Sequence, residues 1–556
     1  MSPPAPARPV SPLTALLNSP WTLALVVWLA FFWQLGAVPL YDLDEGAFTE
    51  ATREMLASGN YITPYRDGAP RYDKPVLIYW LQAASVRLLG FDEFALRLPS
   101  ALAAALWVLA LWRFVREHLD AATATVAGLV MALGLQVALI GKAAVADAVL
   151  NLFIALACFD IWRYWCRRQA AGAEVRTGAD HWLLARVSLW LGLGFLTKGP
   201  VAILFPLLAS LLYALTSGGW RTWLEAVLNP RGWLVFLLVA APWYLAVWMD
   251  SGPGFWQGFF LDHNLGRYGG VKHGHAGFPG YYLVMLPIVL LPFTGWFLSL
   301  LPMTTRLWAD PLDRFLLLWF ATVFVVFSFS ATKLPHYLVY GITPLFILMA
   351  RHRWALTRPW LAFAPPLLLF TLLVLLPWLL APLAGSARRA HEVAQFAAAA
   401  QVLDWRYALG AWAALLLVLG LALATPARAL GLWQRLVLVG IIQTVLVFGL
   451  VVPRVFAVMQ APVREAALVA RALDLPTVVF RTSLPSFSVY RQAITPSVEQ
   501  PRPGQLVFLR IDKLEQLAAA AGDAAVLVPV YQRGPVALVR IATPAAANLT
   551  TPLGSP

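Results

Sequence analysis

Apolar stretches long enough to cross a lipid bilayer follow one another along most of this chain, and nothing constrains its fold more. A helix spanning the hydrocarbon core needs about 20 mostly apolar residues. The stretches are 21–38, 94–116, 121–140, 143–166, 182–198, 200–217, 232–250, 280–302, 314–331, 334–350, 357–383, 406–424 and 432–453, thirteen in all. Internal prolines such as Pro206, Pro242, Pro287 and Pro365 are compatible with them, because neighbouring helices can satisfy the freed backbone groups. Composition agrees: 60% of the 556 residues are hydrophobic and 12% charged, about half the charged fraction of a soluble domain. Such a chain cannot cover its apolar surface with polar groups, so lipid must do it.

The net charge of +13 is carried largely by arginines placed between the apolar stretches. Arg113, Arg116, Arg163, Arg167, Arg168, Arg176, Arg221, Arg231, Arg306, Arg314, Arg351, Arg353, Arg358, Arg428 and Arg435 all fall on one side of a thirteen-pass chain. By the positive-inside rule that side is cytoplasmic, and the N-terminus with it. This pattern sets orientation and contact with anionic lipid, and it argues against nucleic acid as a partner. Residues 1–20 lack a signal-peptide cleavage pattern, so the first apolar stretch is expected to stay in the membrane. Cys158 and Cys166 are too close on one helix to pair and read as packing residues.

These features divide the chain into a transmembrane domain over 1–454 and an outer domain over 455–556. The second part reads as a small α/β unit. Helices are expected over 461–473 and 512–521, with strands over 477–480, 505–509, 525–530 and 536–541. It contains neither a Gly-rich phosphate loop nor a Cys/His cluster, and it reads as a capping or lipid-facing module.

The chemistry-bearing residues gather on the outer side. The loop 39–93 opens with Asp42, Asp44 and Glu45, directly after the first crossing. From Asp44 onward Ala47, Phe48, Ala51, Thr52 and Met55 recur at helical spacing against the polar Glu50, Arg53 and Glu54, which predicts an amphipathic helix lying in the interface. Asp73 and Lys74 precede a second apolar run, where an ammonium sits at phosphate depth. Asp147 lies just inside the fourth stretch, with Lys142 as a possible structural partner. An acid there costs about 1–3 kcal/mol and faces a cavity as a rule. The loop 251–279 holds Asp262, His263, Asn264, Arg267, Tyr268, Lys272, His273 and His275, and the short turn at 333–337 adds Lys333, His336 and Tyr337. The three loop histidines lack a dense metal-ligand spacing.

The run from Tyr41 to Glu45, the run from Tyr72 to Pro75 with Tyr79 and Trp80, Gly90, Glu93, and the run from Arg97 to Ser100 together resemble the GT-C glycosyltransferases. Within them they are most similar to the branch of protein O-mannosyltransferases and lipid A aminoarabinose transferases. The runs 197–200 and 332–337 match that branch as well. The resemblance implies a GT-C fold of about 13 transmembrane helices, an undecaprenyl-phosphate sugar donor and an active site on the outer, periplasmic side of the bacterial inner membrane. It places catalytic acids at Asp44 and Asp147 and a donor-phosphate grip at Lys74, Arg267 and Tyr337. A divalent metal ion, if held, falls to Asp73 and His263, and Glu45, Arg53 and His336 are further candidates.

Within that resemblance, the bacterial look of the chain and its small C-terminal domain favour the aminoarabinose transferases, which implies transfer of 4-amino-4-deoxy-L-arabinose to lipid A phosphate, by a monomer, with resistance to polymyxin as the outcome. Transfer to a protein or another envelope glycan is the alternative. A lipid-linked-sugar transporter fits less well, because transporters place ionisable groups near the bilayer midplane and often carry internal repeats.

Overall fold

The computed structural model describes residues 16–171, 177–266, 278, 280–423, 430–522 and 525–543. Among them, seven continuous helices are long and apolar enough to cross a membrane: Glu93–His118, Asp147–Ala170, Pro230–Ser251, Pro311–Ser328, Pro359–Ser386, Trp405–Leu423 and Leu432–Met459. The chain is a multi-pass membrane protein. Shorter apolar helices, Pro20–Phe31, Leu77–Leu89 and Val201–Thr216, pack among the long ones.

Two stretches expected as single crossings are broken. The stretch 121–140 is two helices, Ala121–Leu133 and Leu135–Gly141, bent by 70°. Gly134 adopts an extended conformation between them, and the Leu135 amide leaves the helical ladder to donate to the Leu291 carbonyl at 2.8 Å. The stretch 280–302 divides into Tyr281–Val289 and Thr294–Leu298. Pro287 and Pro292 each remove a backbone donor from it. Gly295 then touches the neighbouring helix so closely that a Cβ would come within 1.8 Å of the Leu361 carbonyl oxygen. Lipid tails are as apolar as leucine, so close packing of this kind, more than hydrophobic burial, associates helices in a bilayer.

The bundle interior is aromatic, and two of its fully buried indoles are hydrogen-bonded. Trp107, Trp296 and Trp319 are fully buried. Trp107 donates to Thr343 Oγ1 at 3.2 Å and Trp319 to the Tyr340 carbonyl at 3.1 Å. The Pro359–Ser386 helix instead exposes Trp360, Leu368, Leu372 and Trp378, an apolar outer face suited to lipid.

After Met459 the chain forms a small α/β domain. A five-stranded sheet runs in the order Ser497–Val498, Thr477–Phe480, Leu506–Arg510, Val536–Ala542, Val526–Arg533. The first three strands are parallel and the last two join antiparallel. Alternation along the strands splits the interior in two. Val479, Phe508 and Leu538 pack on the helix Ala461–Leu473, while Val478, Val507 and Ile541 pack with Leu517 of the helix Leu514–Ala521. A six-residue helix that the sequence did not announce, Ser486–Arg491, connects this domain to the membrane bundle.

Candidate active site

The loop 39–93 builds one wall of the site. The helix Asp44–Ser58 starts at the acidic pair Asp44 and Glu45, which suits the positive end of a helix dipole. It ends at Gly59, whose φ of 73° closes the last turn. Its polar face, expected to meet solvent at the interface, is covered instead. Glu50 takes a two-pronged ion pair from Arg53 at 2.8 and 2.6 Å, and Glu54 accepts the Gly68 amide at 3.2 Å. The hairpin of Tyr65–Arg66 and Ala69–Pro70 supplies that cover.

The three carboxylates at the start of the loop are sorted by their partners. Asp42 is buried and accepts both the Ser486 amide, at 3.0 Å, and the Ser486 hydroxyl. Glu45 is buried and saturated. It takes two bonds of 2.8 Å from Arg97, one of 2.8 Å from the Tyr41 amide and one of 2.7 Å from the Ala144 amide. Asp44 between them is exposed, and among the described residues its carboxylate has no hydrogen-bond or ion-pair partner. Of the three, Asp44 is the acid available to a ligand.

Asp147 is the first residue of its helix and is buried. Lys198 Nζ donates to its Oδ1 at 2.7 Å, Tyr340 OH donates to the same oxygen at 2.6 Å, and Lys198 also lies 2.6 Å from the Tyr340 hydroxyl. The three side chains close a triangle. Lys142 is not the partner of Asp147: its ammonium donates to the Trp33 carbonyl and stands 4.8 Å from the centre of the Phe448 ring. Gly141 ends its short helix and turns the chain away at that point. Lys198 is instead delivered as the last residue of the helix Gly178–Lys198, where a cation suits the helix C-terminus. Gly199 follows at φ 77°, with Phe259 so near that a Cβ would approach it to 2.4 Å.

His336 joins the two acids. Loss of hydration lowers the affinity of its imidazole for a proton. Asp147 and Asp44 pull the other way, and Lys198 and Lys74 add to the lowering. All four charges therefore act on one imidazole. Tyr337, next to it, is buried and stacks on Phe327 at 4.6 Å, 6.3 Å from the Tyr340 ring.

Lys74 is half-buried and donates to the Asp73 carbonyl at 3.1 Å. Its loop is held from two sides. Thr63 donates to Asp250 at 2.5 Å and Trp243 to the Ile62 carbonyl at 2.9 Å. Tyr72 meets Phe255 edge-on at 5.8 Å. The Asp73 carboxylate lies 3.7 Å from the Arg71 guanidinium. A divalent ion fits poorly against a carboxylate already facing a cation, and no group of three His, Cys, Asp or Glu side chains forms a metal site among the described residues. Arg267, His273 and His275 lie outside the described residues, as does the His263 side chain.

Lys198 and Tyr340 are site residues that the sequence reading did not select. Lys198 left a signal, a single lysine closing an otherwise apolar stretch within the run 197–200. Tyr340 left none, since only the packing of the Val339–Arg351 helix brings it to Asp147.

Comparison with known proteins bears out the fold and the branch resemblance. The solved ArnT of Cupriavidus metallidurans, bound to undecaprenyl phosphate, superposes with a TM-score of 0.75 at 20% identity, covering 93% of this chain and 97% of that one. This chain has the GT-C fold. The GT-C family described as dolichyl-phosphate-mannose-protein mannosyltransferase matches residues 73–248. An undecaprenyl phosphate-alpha-4-amino-4-deoxy-L-arabinose arabinosyl transferase of Edwardsiella ictaluri is 32% identical over 343 residues, 61% of this chain and 60% of the relative. A transferase of the same name from Aeromonas salmonicida is 31% identical over 344 residues, 59% of each chain. The chain thus spans about three fifths of the length of these curated relatives.

Proposed function

We propose that this chain is a GT-C glycosyltransferase that moves 4-amino-4-deoxy-L-arabinose from undecaprenyl phosphate to the phosphate groups of lipid A. It would work at the periplasmic face of the bacterial inner membrane, as a monomer, and confer resistance to polymyxin and related cationic peptides. The observation that carries this reading is the exposed Asp44 carboxylate, left open to a ligand between the buried and hydrogen-bonded Asp42 and Glu45. The relatives named for that transfer support it.

In this reaction an acceptor phosphate oxygen forms a bond to the anomeric carbon while the bond from that carbon to the donor phosphate breaks. The acceptor is already an anion near neutral pH, so no base is needed to create the nucleophile. Asp44 then acts by position, holding the sugar amine or orienting the acceptor. The departing undecaprenyl phosphate gathers negative charge, which the Lys74 ammonium is placed to stabilise. Arg267 and Tyr337 complete this phosphate grip in our reading. Asp147 keeps Lys198 and Tyr340 in register beside it.

A protein acceptor is the second reading, favoured by the mannosyltransferase family that matches residues 73–248. A protein hydroxyl would need Asp44 as a base. The test is release of undecaprenyl phosphate from synthetic donor by the purified chain in nanodiscs. Release that requires lipid A supports the first reading, and release that requires a hydroxyl-bearing peptide replaces it with the second.

A further inference from the structure

The C-terminal domain makes most of its hydrogen bonds to the acidic loop through one short segment, and Arg464 adds an ion pair to Glu93 at 3.6 Å. The helix Ser486–Arg491 turns Phe487 into its own domain, stacked on Phe508 at 3.9 Å. Ser486, Ser488, Val489 and Tyr490 face the membrane domain. Val489 is buried with Leu40, Val86, Ala95, Leu96 and Ala144. Tyr490 OH accepts the Leu40 amide at 2.7 Å and donates to Glu93 at 3.0 Å. Ser488 donates to Asp67 at 2.7 Å, and Ser486 gives its amide and its hydroxyl to the two oxygens of Asp42. The fit is tight. A Cβ on Gly46 would come within 2.1 Å of Asp42 Oδ1 and 2.7 Å of the Ser486 nitrogen.

These contacts bracket Asp44. Leu40 is held by Tyr490, Asp42 by Ser486 and Glu45 by Arg97 and Ala144. Two of the three anchors on this stretch come from a domain more than 440 residues away in sequence. A loop held at residues 40, 42 and 45 has little freedom at 44, and a solvent-exposed carboxylate gains its geometry only from such backbone anchors.

We propose that Ser486 is a positioning residue for the transfer reaction, and that the C-terminal domain serves as a clamp fixing Asp44 against the donor. This inference rests on the reading of Asp44 as the acid that meets the substrate. It makes the domain a working part of the site through the loop that it holds. The lost element in a Ser486→Ala variant is orientation, so turnover falls while donor affinity, set by the Lys74 grip, does not.

The test uses the full chain in nanodiscs, with undecaprenyl-phosphate aminoarabinose as donor and lipid A as acceptor. Ser486→Ala lowers kcat by at least about tenfold with the donor Kd unchanged. Amide hydrogen exchange over residues 40–46 speeds up in that variant, while the membrane helices exchange as before. Asp42→Asn, which can accept the amide and donate to the hydroxyl, keeps turnover far better than Asp42→Ala. Wild-type turnover and wild-type exchange in Ser486→Ala would overturn the clamp. If the parent chain turns over neither donor nor acceptor, the function reading fails instead, and the exchange over 40–46 still decides whether Ser486 holds the loop.

Discussion

The Lys198 ammonium stands 2.7 Å from Asp147 Oδ1, bringing the end of one membrane helix to the beginning of another. The two groups cancel each other's charge where water is scarce, and Tyr340 takes up the remaining direction on the same oxygen. Removing one member leaves the other buried and unpaired, at a cost of about 3–5 kcal/mol. Lys198→Met or Asp147→Asn alone should therefore lower the thermal unfolding midpoint markedly. The double variant should recover much of that loss. A double variant no more stable than the worse single one would show that the pair is not coupled.

Tyr340→Phe keeps the ring, stacked 6.3 Å from Tyr337, and removes only the hydroxyl that bonds Asp147. The expected loss is about 1–3 kcal/mol of stability. Turnover should fall with it as Lys198 loses its register. Unfolding midpoint and kcat measured on one preparation would check both.

Lys74→Ala should weaken donor binding and slow transfer together, because in the proposed reaction one ammonium serves the phosphate both in the bound donor and as it departs. Titration with undecaprenyl phosphate gives the first quantity and single-turnover kinetics the second. Unchanged affinity for undecaprenyl phosphate would remove Lys74 from the phosphate grip.

Glu45 and Asp44 are neighbours with opposite expected phenotypes. Glu45 is saturated by Arg97, Tyr41 and Ala144, so Glu45→Ala should cost several kcal/mol of stability by leaving the Arg97 charge buried and unpaired. Asp44→Asn touches no bond among the described residues and should leave the unfolding free energy within about 0.5 kcal/mol of the parent's.

The clamp should also respond to pH. Burial pushes the Asp42 carboxyl from 3.8 up to about 7, with Glu45 and Asp67 adding to the rise and the Ser486 donors opposing it. Between about pH 4 and 7 the folded chain then binds a proton that the unfolded chain has released. Stability carried by this group is present at the low end of that window, declines as pH rises through it, and levels off above 7. Asp42→Asn should flatten that part of the profile, measured as the unfolding midpoint of the chain in nanodiscs.

Much of this arrangement was legible in the sequence because membranes impose length. The stretch 94–116 lies within the helix Glu93–His118, and all but the first two residues of 357–383 lie within Pro359–Ser386. The tail was legible as well, with Ala461–Leu473 and Thr477–Phe480 falling where periodicity put them. Gly134 hid the bend in 121–140, since one glycine among apolar residues looks the same in a straight helix. The helix Ser486–Arg491 is too short to show a period, and so the docking of the domain was illegible. The role of Glu45 depends on Arg97, fifty-two residues further on, and Lys142 drew attention from Lys198 because it is the nearer cation in sequence.

Asp44 is the acid on which the proposed transfer depends, and its most direct test is mass spectrometry of lipid A from cells making this chain or its Asp44→Asn variant in equal amounts. The parent should add an aminopentose to lipid A phosphate and the variant should add none. Aminopentose-modified lipid A from the variant, or unmodified lipid A from the parent in cells that hold the donor, would contradict it.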